Sequence, residues 1–212
     1  MKKILLSGFV PFGAYPVNSS QQVVWQLAQR RIHGVKIVPT IFDATIPGKN
    51  RGEVLVERAQ ALGASSIISL GMASEKKGLC IERWATNAVD NKKYCPPLLQ
   101  GTQIDPRQPY GLRIALDLAP WNIRGFEQAC TAESIVVEYS DDAGGFCCNH
   151  LAYQTGTALI EREETISYLF IHLPCSPAAI PNEKEFVAAG KVSMSVEKMV
   201  RGIELLLQEV AL

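Results

Sequence analysis

The chain has 212 residues, 47% of them apolar and 20% charged, which is ordinary for a globular protein of one large domain or two small ones. Its 21 basic and 21 acidic residues cancel, so no basic excess is available to neutralise phosphates and a nucleic-acid partner is not expected. Since the sequence has no run of about 18 apolar residues, we expect no transmembrane helix and no membrane partner.

Short apolar segments alternate with longer amphipathic segments along the chain. In chain order, the predicted elements are a strand at 4–8, a helix after Asn18, a strand at 35–40, a helix at 52–62, a strand at 66–71, an extended segment at 79–89, a long loop or hairpin at 92–112, a strand at 113–118, a short helix at 119–131, a strand at 135–139, a helix at 146–162, a strand at 166–172 and a closing helix at 192–212. This alternation predicts an α/β protein with a three-layer α/β/α architecture and a twisted, mostly parallel central sheet, folded as a single domain over residues 1–212.

Capping residues and apolar faces support several of these boundaries. Asn18 is a typical N-cap residue for the first helix, and Gly63 is a typical stop signal for the second. The apolar residues of the second helix include Val54, Val56, Ala59 and Leu62. The closing helix has one apolar face, made of Val196, Met199, Val200, Ile203, Leu206 and Val210.

The six cysteines lack the paired spacing of a zinc site or a disulfide framework. We therefore expect free thiols, a reducing compartment and a cytoplasmic location. The sequence has one Cys/His cluster, at Cys147, Cys148 and His150, but neighbouring residues on a helix point in different directions. Neither a metal ion nor another cofactor is expected.

The segment 140–149, Ser-Asp-Asp-Ala-Gly-Gly-Phe-Cys-Cys-Asn, lies between a predicted strand and a predicted helix. In mostly parallel sheets, active sites gather where strands end. The N–H groups at a helix start carry partial positive charge, which favours a cysteine thiolate near neutral pH. Gly144 and Gly145 allow a sharp turn and a close approach to a substrate. This segment is therefore a candidate for a nucleophilic cysteine.

A thiol hydrolase also needs an imidazole that exchanges protons with the sulfur. Of the three histidines, His33 lies in a polar loop, and His150 lies about 200° around the helix from Cys148. His172 ends a predicted strand just before Pro174, from where its side chain can face the cysteine turn. Geometry alone leaves two interpretations open: a Cys148–His172 pair, or a core or loop histidine without a catalytic role.

Four separated motifs extend this interpretation. They are Gly-Phe-Val-Pro-Phe-Gly at 8–13, continuing to Asn18; Val-Pro-Thr-Ile-Phe at 38–42; Leu-Cys-Ile-Glu-Arg-Trp-Ala-Thr-Asn at 79–87; and 140–149 with His-Leu-Pro at 172–174. In these motifs the chain resembles the pyroglutamyl peptidase I family, also called pyrrolidone-carboxylate peptidases. Members of that family are cytosolic cysteine exopeptidases that remove an N-terminal 5-oxoproline from peptides.

The resemblance implies a catalytic triad in which Cys148 is the nucleophile, His172 the general base and acid, and Glu82 the third member. A carboxylate beside an imidazole favours its protonated form and holds one tautomer, and the imidazolium stabilises the thiolate. Backbone N–H groups around 145–148 would bind the tetrahedral oxyanion. Without the resemblance, Glu82 is better interpreted as a surface ion pair with Arg83 or a lysine.

The implied substrate is a peptide whose blocked N-terminus is an uncharged lactam ring. Aromatic walls and neutral hydrogen bonds suit such a ring, whereas a charged amino terminus would lose hydration worth roughly several kcal/mol. The substrate-binding residues implied by the resemblance are Phe9, Phe12, Asn18, Thr40, Phe146 and Cys147. Two alternatives stay open: Phe9 and Phe12 are plain core residues, and Cys147 serves only as a small apolar side chain.

Several positions depart from the family pattern. Met72 stands where the family has a glutamine, Lys92 where it has an arginine, and Lys93 where an apolar residue is usual. An ammonium group does not reproduce the planar fork of an arginine. The acyl specificity is therefore open, and the sequence also allows a thiol amidohydrolase for another small N-acyl group or a non-catalytic peptide-binding relative.

The resemblance also bears on assembly. Prokaryotic members of the family are commonly homotetramers, so we expect a homo-oligomer. Residues 92–112 are rich in proline, glycine and polar groups, and we expect them to form either a contact between subunits or a lid over the site.

Overall fold

The computed structural model describes residues 1–46 and 50–211, which contain eight strands and six α-helices. The strands are β1 (Lys2–Phe9), β2 (Val35–Phe42), β3 (Ser66–Met72), β4 (Leu79–Glu82), β5 (Trp84–Thr86), β6 (Arg113–Ala115), β7 (Val137–Ser140) and β8 (Ser167–Leu173). The helices are α1 (Ser19–Ala28), α2 (Arg51–Leu62), α3 (Ile123–Ala132), α4 (Cys147–Glu161), α5 (Glu183–Ala188) and α6 (Val196–Ala211).

Six of these strands form the central sheet, in the order β2-β1-β3-β8-β4-β7. Neighbouring strands are parallel except for β4 and β8, where Cys80 pairs with His172 and Ile81 with Ile171 in antiparallel register. The strands β5 and β6 form a separate two-stranded antiparallel sheet. The predicted mostly parallel sheet is confirmed, with one inverted pairing in its middle.

Helices cover both faces of the sheet. On one face α1, α3 and α6 enclose one apolar core, and on the other α2 and α4 enclose a second. Alternate side chains of a strand point to opposite faces, so β1 gives Ile4 and Leu6 to the first core and Leu5 to the second. The three-layer architecture is therefore confirmed. None of the described helices is long and apolar enough to cross a membrane.

Capping residues set the helix ends as the sequence predicts. The side chain of Asn18 accepts a hydrogen bond from the Ser20 N–H at the start of α1. Gly63 ends α2 in the left-handed conformation, with φ of 60°, which glycine adopts at little steric cost. The third helix begins at Ile123, later than predicted, because Asn122 caps it by accepting the Gly125 N–H.

The apolar residues of α2 are not all on its buried face. Leu55, Val56 and Ala59 are fully buried in the second apolar core, whereas Val54 is 50% exposed. The helix is turned so that the 55–59 stripe meets the sheet and α4, and Val54 faces outward.

Several boundaries and one element also differ. The predicted strand at 113–118 is only Arg113–Ala115, and the closing helix begins at Val196, not at 192. The six-residue helix Glu183–Ala188 was not predicted, because so short a helix has little apolar periodicity. The Val210 side chain and Leu212, both included in the predicted closing helix, lie outside the described residues.

Residues 92–112 form a loop with one 3₁₀ turn at Pro97–Leu99. The buried side chain of Asn87 organises the later part of this loop: its Nδ2 donates to three carbonyl groups, and its Oδ1 accepts two backbone N–H groups, all within 104–109. The segment is thus an ordered loop and not a hairpin.

Candidate active site

A cavity of about 390 Å³ lies where β1, β3 and β8 end, within the range of roughly 300–1,000 Å³ that is typical of small-molecule sites. The predicted site residues that line it are Phe9, Phe12, Asn18, Phe146, Cys147, Cys148 and His172. Glu82 lies behind His172, in contact with its ring. Thr40 is not among the lining residues.

Two glycines shape the turn that leads from β7 to the nucleophile. Gly144 has a φ of 80°, in the region that favours glycine. A Cβ atom on Gly145 would lie 2.1 Å from the carbonyl oxygen of Asp90, so a side chain at this position would collide with the backbone. The turn therefore brings the half-buried Cys148 to the cavity.

The first turn of α4 is anchored through Asn149. Its Oδ1 accepts the Thr86 N–H and its Nδ2 donates to the Thr86 carbonyl, each at 2.8 Å. Phe146, at the N-cap, makes no side-chain capping hydrogen bond. The backbone N–H groups beside Cys148 therefore lack a side-chain cap. They lie at the start of α4, where backbone N–H groups favour a bound anion.

The position of Gly71 shows how close the thiol and the imidazole lie. Gly71 is on β3, directly opposite His172 on β8. A Cβ atom built on Gly71 would lie 2.8 Å from Cys148 Sγ and 3.1 Å from His172 Nε2. The distance from the sulfur to the ring nitrogen is therefore at most the sum of these two distances. Because Gly71 has no side chain, the space between the thiol and the imidazole stays open.

Glu82 is fully buried, and its Oε1 lies 2.7 Å from His172 Nδ1. This placement follows from the inverted strand. In a parallel neighbour, the last residue of the strand would lie at the same edge of the sheet as His172. Because β4 runs antiparallel to β8 with Cys80 opposite His172, Glu82 at the end of β4 lies further inside the sheet than His172. The carboxylate thus contacts the ring at Nδ1, the nitrogen other than the one that lies near Cys148.

The surface ion pair considered for Glu82 is wrong in its location, because Glu82 is fully buried, and wrong for Arg83, but a lysine does lie beside the carboxylate. Arg83 instead pairs with Asp141 through two contacts of 2.7 Å each. Besides His172, the Oε1 atom of Glu82 has a cationic neighbour, Lys76 Nζ, at 3.6 Å. Its Oε2 atom has no hydrogen-bond partner among the described residues. No motif singled out Lys76 as that lysine, because the contact depends on the loop between β3 and β4.

Opposing effects act on the Cys148 thiol. The start of α4 and the nearby imidazole favour the thiolate. A hydrogen bond with Cys147, burial and the negative charges of Glu82 and Glu75 act in the other direction and raise the pKa of Cys148 well above its ordinary value. The thiolate therefore depends on the balance between these two sets of effects at the sulfur.

Aromatic side chains form one wall of the cavity. Phe9 is 1% exposed and belongs both to this wall and to the second apolar core, so the two interpretations of this residue do not exclude each other. Tyr94, which was not predicted, joins Phe12 and Phe146 at ring distances of 5.1 and 5.8 Å. It comes from the loop after β5, and a Cβ atom on Gly13 would lie only 2.7 Å from its ring. The wall thus depends on two loops that pack together.

The polar residues predicted for substrate binding have different surroundings. Asn18 lines the cavity, but its side chain already accepts from Ser20 and donates to the Val10 carbonyl at 3.0 Å. Thr40 pairs with Ser7 in the strand register, and its Oγ1 has no hydrogen-bond partner among the described residues. Ala44 lines the cavity near the end of β2 instead, and no motif pointed to it.

The positions that depart from the family pattern differ in their distance from the cavity. Met72 lines it and is 5% exposed, with its sulfur accepting the Ser19 N–H at 3.4 Å. Lys93 is exposed, with Nζ 5.0 Å from the centre of the Tyr94 ring. Lys92 is exposed and does not line the cavity. Of the three, Met72 is therefore the one that directly shapes the space for a ligand.

The other two histidines lie elsewhere. His33 is exposed. His150 is buried beside a separate cavity, and burial lowers its pKa to about 4, so it is neutral near pH 7. Within residues 1–46 and 50–211, no three His, Cys, Asp or Glu side chains are grouped so as to hold a metal ion.

A model of the pyroglutamyl peptidase family matches residues 2–211 of the chain. A pyrrolidone-carboxylate peptidase of Oceanobacillus iheyensis is 33% identical over 184 residues, which cover 83% of this chain and 85% of that protein. A pyrrolidone-carboxylate peptidase of Bacillus cereus is 30% identical over 97% of this chain and 91% of its own length.

Solved structures agree with the fold. The crystal structure of pyroglutamyl peptidase I from Bacillus amyloliquefaciens superposes with a TM-score of 0.81 and 24% identity, over 100% of this chain and 95% of that one. The pyrrolidone carboxyl peptidase of Thermococcus litoralis gives a TM-score of 0.80 with 23% identity, over 99% of this chain and 93% of its own. At these identities the likeness establishes the architecture of the sheet and its helices.

Proposed function

The chain belongs to the pyroglutamyl peptidase family, and we propose that it removes N-terminal 5-oxoproline from peptides through a triad of Cys148, His172 and Glu82. One observation carries the triad: side chains from α4, β8 and β4 converge at one cavity. His172 Nδ1 is 2.7 Å from the buried Glu82, and its Nε2 faces the Cys148 sulfur across Gly71. Three groups so far apart in sequence have no packing reason to be ordered in this way.

The reaction depends on a proton transfer between the Cys148 thiol and the His172 imidazole. As Cys148 Sγ attacks the carbonyl carbon of the 5-oxoprolyl residue, its proton passes to His172 Nε2, and Glu82 stabilises the resulting imidazolium. Backbone N–H groups at the start of α4 stabilise the oxyanion. When the C–N bond breaks, His172 returns the proton to the leaving amine. Water, deprotonated by His172, then hydrolyses the thioester and releases 5-oxoproline and the thiol.

The cavity favours an uncharged ring over a free amino terminus. Its walls contain Tyr94 in contact with both Phe12 and Phe146, and an ammonium group placed among these rings would lose roughly several kcal/mol of hydration. The carboxylates that line the cavity, Glu75 and Asp142, are exposed. They remain solvated and offer an ammonium group little compensation for its lost hydration.

Coumarin amides with different acyl groups test this specificity. We expect hydrolysis of the 5-oxoprolyl amide, at least about a hundredfold less hydrolysis of the prolyl and glutaminyl amides because of their charged amines, and complete loss after treatment with iodoacetamide. Faster hydrolysis of an N-acetyl amide would instead indicate a thiol amidohydrolase of different specificity. Tight binding of a 5-oxoprolyl peptide without turnover would contradict an enzymatic role.

A substitution at Gly71 tests the geometry of the thiol and imidazole. In Gly71→Ala, the new methyl group would occupy the space between Cys148 and His172 and displace one of them. We expect kcat for the 5-oxoprolyl amide to fall about a hundredfold, as for other misplacements of about 1 Å, with a smaller change in KM.

The matched control for Gly71→Ala is Gly156→Ala, where the new methyl group would meet a side-chain atom of Ile114 at 2.8 Å, outside the active-site cavity. This variant should lose some stability through overpacking but keep its kcat. Equal kcat in the wild type and in Gly71→Ala would contradict the proposed arrangement.

Assembly and location are inferred from the resemblance and from the cysteines. All six cysteines are free thiols, which supports a reducing compartment, and we assign the enzyme to the cytoplasm. The family resemblance supports a homo-oligomer, a tetramer in prokaryotic members, built from one domain spanning residues 1–212. The ordered loop at 92–112 is our candidate for the subunit contact or for a lid, because it also supplies Tyr94 to the cavity wall.

A further inference from the structure

The loop between β3 and β4 holds a lysine against the buried end of the triad. The Lys76 side chain is 18% exposed, and its Nζ lies 3.6 Å from Glu82 Oε1, the same oxygen that contacts His172. The two residues after Lys76 hold the loop to β7, because the N–H groups of Lys77 and Gly78 both donate to Glu138 Oε2. Lys76 therefore stays near the triad without depending on a substrate.

A buried carboxylate needs compensation for its lost hydration. The Oε2 atom of Glu82 has no hydrogen-bond partner within the described residues, and a neutral imidazole provides one hydrogen bond but no opposite charge. The Lys76 ammonium supplies that charge. We propose that Lys76 is a positioning residue that keeps Glu82 ionised and thereby sets the pH range in which His172 exchanges protons, a role that rests on the proposed triad.

The other charged and titratable groups around Glu82 do not supply this charge. The imidazole of His172 on β8 and the thiol of Cys80 on β4 both face the Glu82 carboxylate, and the thiol of Cys148 on α4 lies beyond the imidazole. Two further carboxylates are nearby, Glu75 on the β3–β4 loop and Glu138 on β7. Burial is the largest single effect and would lower the pKa of the Lys76 ammonium, but the attractions of Glu82, Cys80 and Glu75 together outweigh it and the pKa is raised. Lys76 therefore remains charged across the neutral range.

The direction of the effect follows from the sign of the charge. A cation beside the Glu82–His172 pair disfavours any further proton on that pair. If the cation is removed, the doubly protonated and imidazolium forms become easier to populate. The acidic limb of the kcat/KM profile should then move to higher pH, by about one unit for a charge at this distance. A lysine that only packed the loop would instead lower activity equally at every pH.

The test compares three variants of the full chain. Lys76→Met removes the charge and keeps most of the side-chain volume, Lys76→Arg restores it, and Lys77→Met removes the charge of the exposed neighbour. For each, kcat/KM for the 5-oxoprolyl coumarin amide is measured from pH 5 to pH 10. In parallel, the His172 ring is titrated by NMR in a Cys148→Ala background, which needs no peptidase activity.

We expect the acidic limb and the His172 titration midpoint to rise by about one unit in Lys76→Met and to stay at the wild-type position in Lys76→Arg and Lys77→Met. An unchanged His172 midpoint in Lys76→Met, with the variant folded as judged by thermal unfolding, would overturn the proposal. A wild-type chain that does not hydrolyse the amide would refute the proposed function, while the NMR titration would still decide the role of Lys76.

Discussion

Cys148→Ala should lose at least about a thousandfold in kcat/KM toward 5-oxoprolyl amides, because the sulfur that forms the acyl-enzyme is gone. The remaining activity would come from binding and from the oxyanion donors alone. The helix should form normally, since alanine has a high helix propensity and Asn149 still anchors the first turn to Thr86. Steady-state kinetics with active-site titration, together with circular dichroism, measures both effects.

The matched control is Cys130→Ala, which makes the same change at a fully buried cysteine in α3, outside the active-site cavity. This variant should keep the wild-type rate while losing a little stability. Loss of activity in Cys147→Ala but not in Cys148→Ala would place the nucleophile one residue earlier than proposed.

Glu82→Gln should lower kcat by roughly a hundred- to ten-thousandfold, as expected when the carboxylate that supports a catalytic imidazole is neutralised. The amide can still accept a hydrogen bond from His172 Nδ1, so the ring keeps a partner, but no negative charge remains to stabilise the imidazolium. Because glutamine has nearly the same shape as glutamate, KM should change less than kcat. The measurement is the full kcat and KM for the 5-oxoprolyl amide near the pH optimum.

Glu57→Gln is a suitable control for the loss of one carboxylate. Glu57 is exposed and pairs with Arg162 at 3.0 Å on the surface, an interaction worth about 0–1 kcal/mol. Its loss should leave kcat unchanged. If Glu82→Gln also kept a rate within a few-fold of the wild type, Glu82 would be a structural partner of His172 and not a member of the triad.

Local sequence patterns predicted most of the fold. Asn18 and Gly63 set helix ends through hydrogen bonds and dihedral angles within a few residues, so their roles are visible in the sequence. The order of strands is different, because β4 lies between β8 and β7 only through long-range pairing. The orientation of α2 also depends on its partners, so the apolar pattern of the helix does not by itself show that Val54 faces outward.

The candidate site likewise has one part that local sequence predicts and another part that depends on long-range packing. The turn before Cys148 is a local structure, and its glycines and its position at a strand end make it recognisable from sequence. Lys76 and Tyr94 come to the cavity through loop packing, and Gly71 comes to the thiol and the imidazole through strand register. No sequence pattern assigned a chemical role to any of the three. Thr40 was chosen by resemblance alone, whereas Ala44 lies at the cavity.

Because of the antiparallel strand β4, the His172–Glu82 pair is held more rigidly than Cys148. His172 and Glu82 lie on neighbouring strands whose backbones are hydrogen-bonded in the middle of the sheet, where opening requires nearly complete unfolding. Cys148 depends on a glycine turn and on side-chain anchors such as Asn149. Thermal fluctuation should therefore vary the distance from sulfur to imidazole while the imidazole–carboxylate distance stays constant. As the temperature rises, the molecule should lose the alignment of its nucleophile before it loses its acid–base pair.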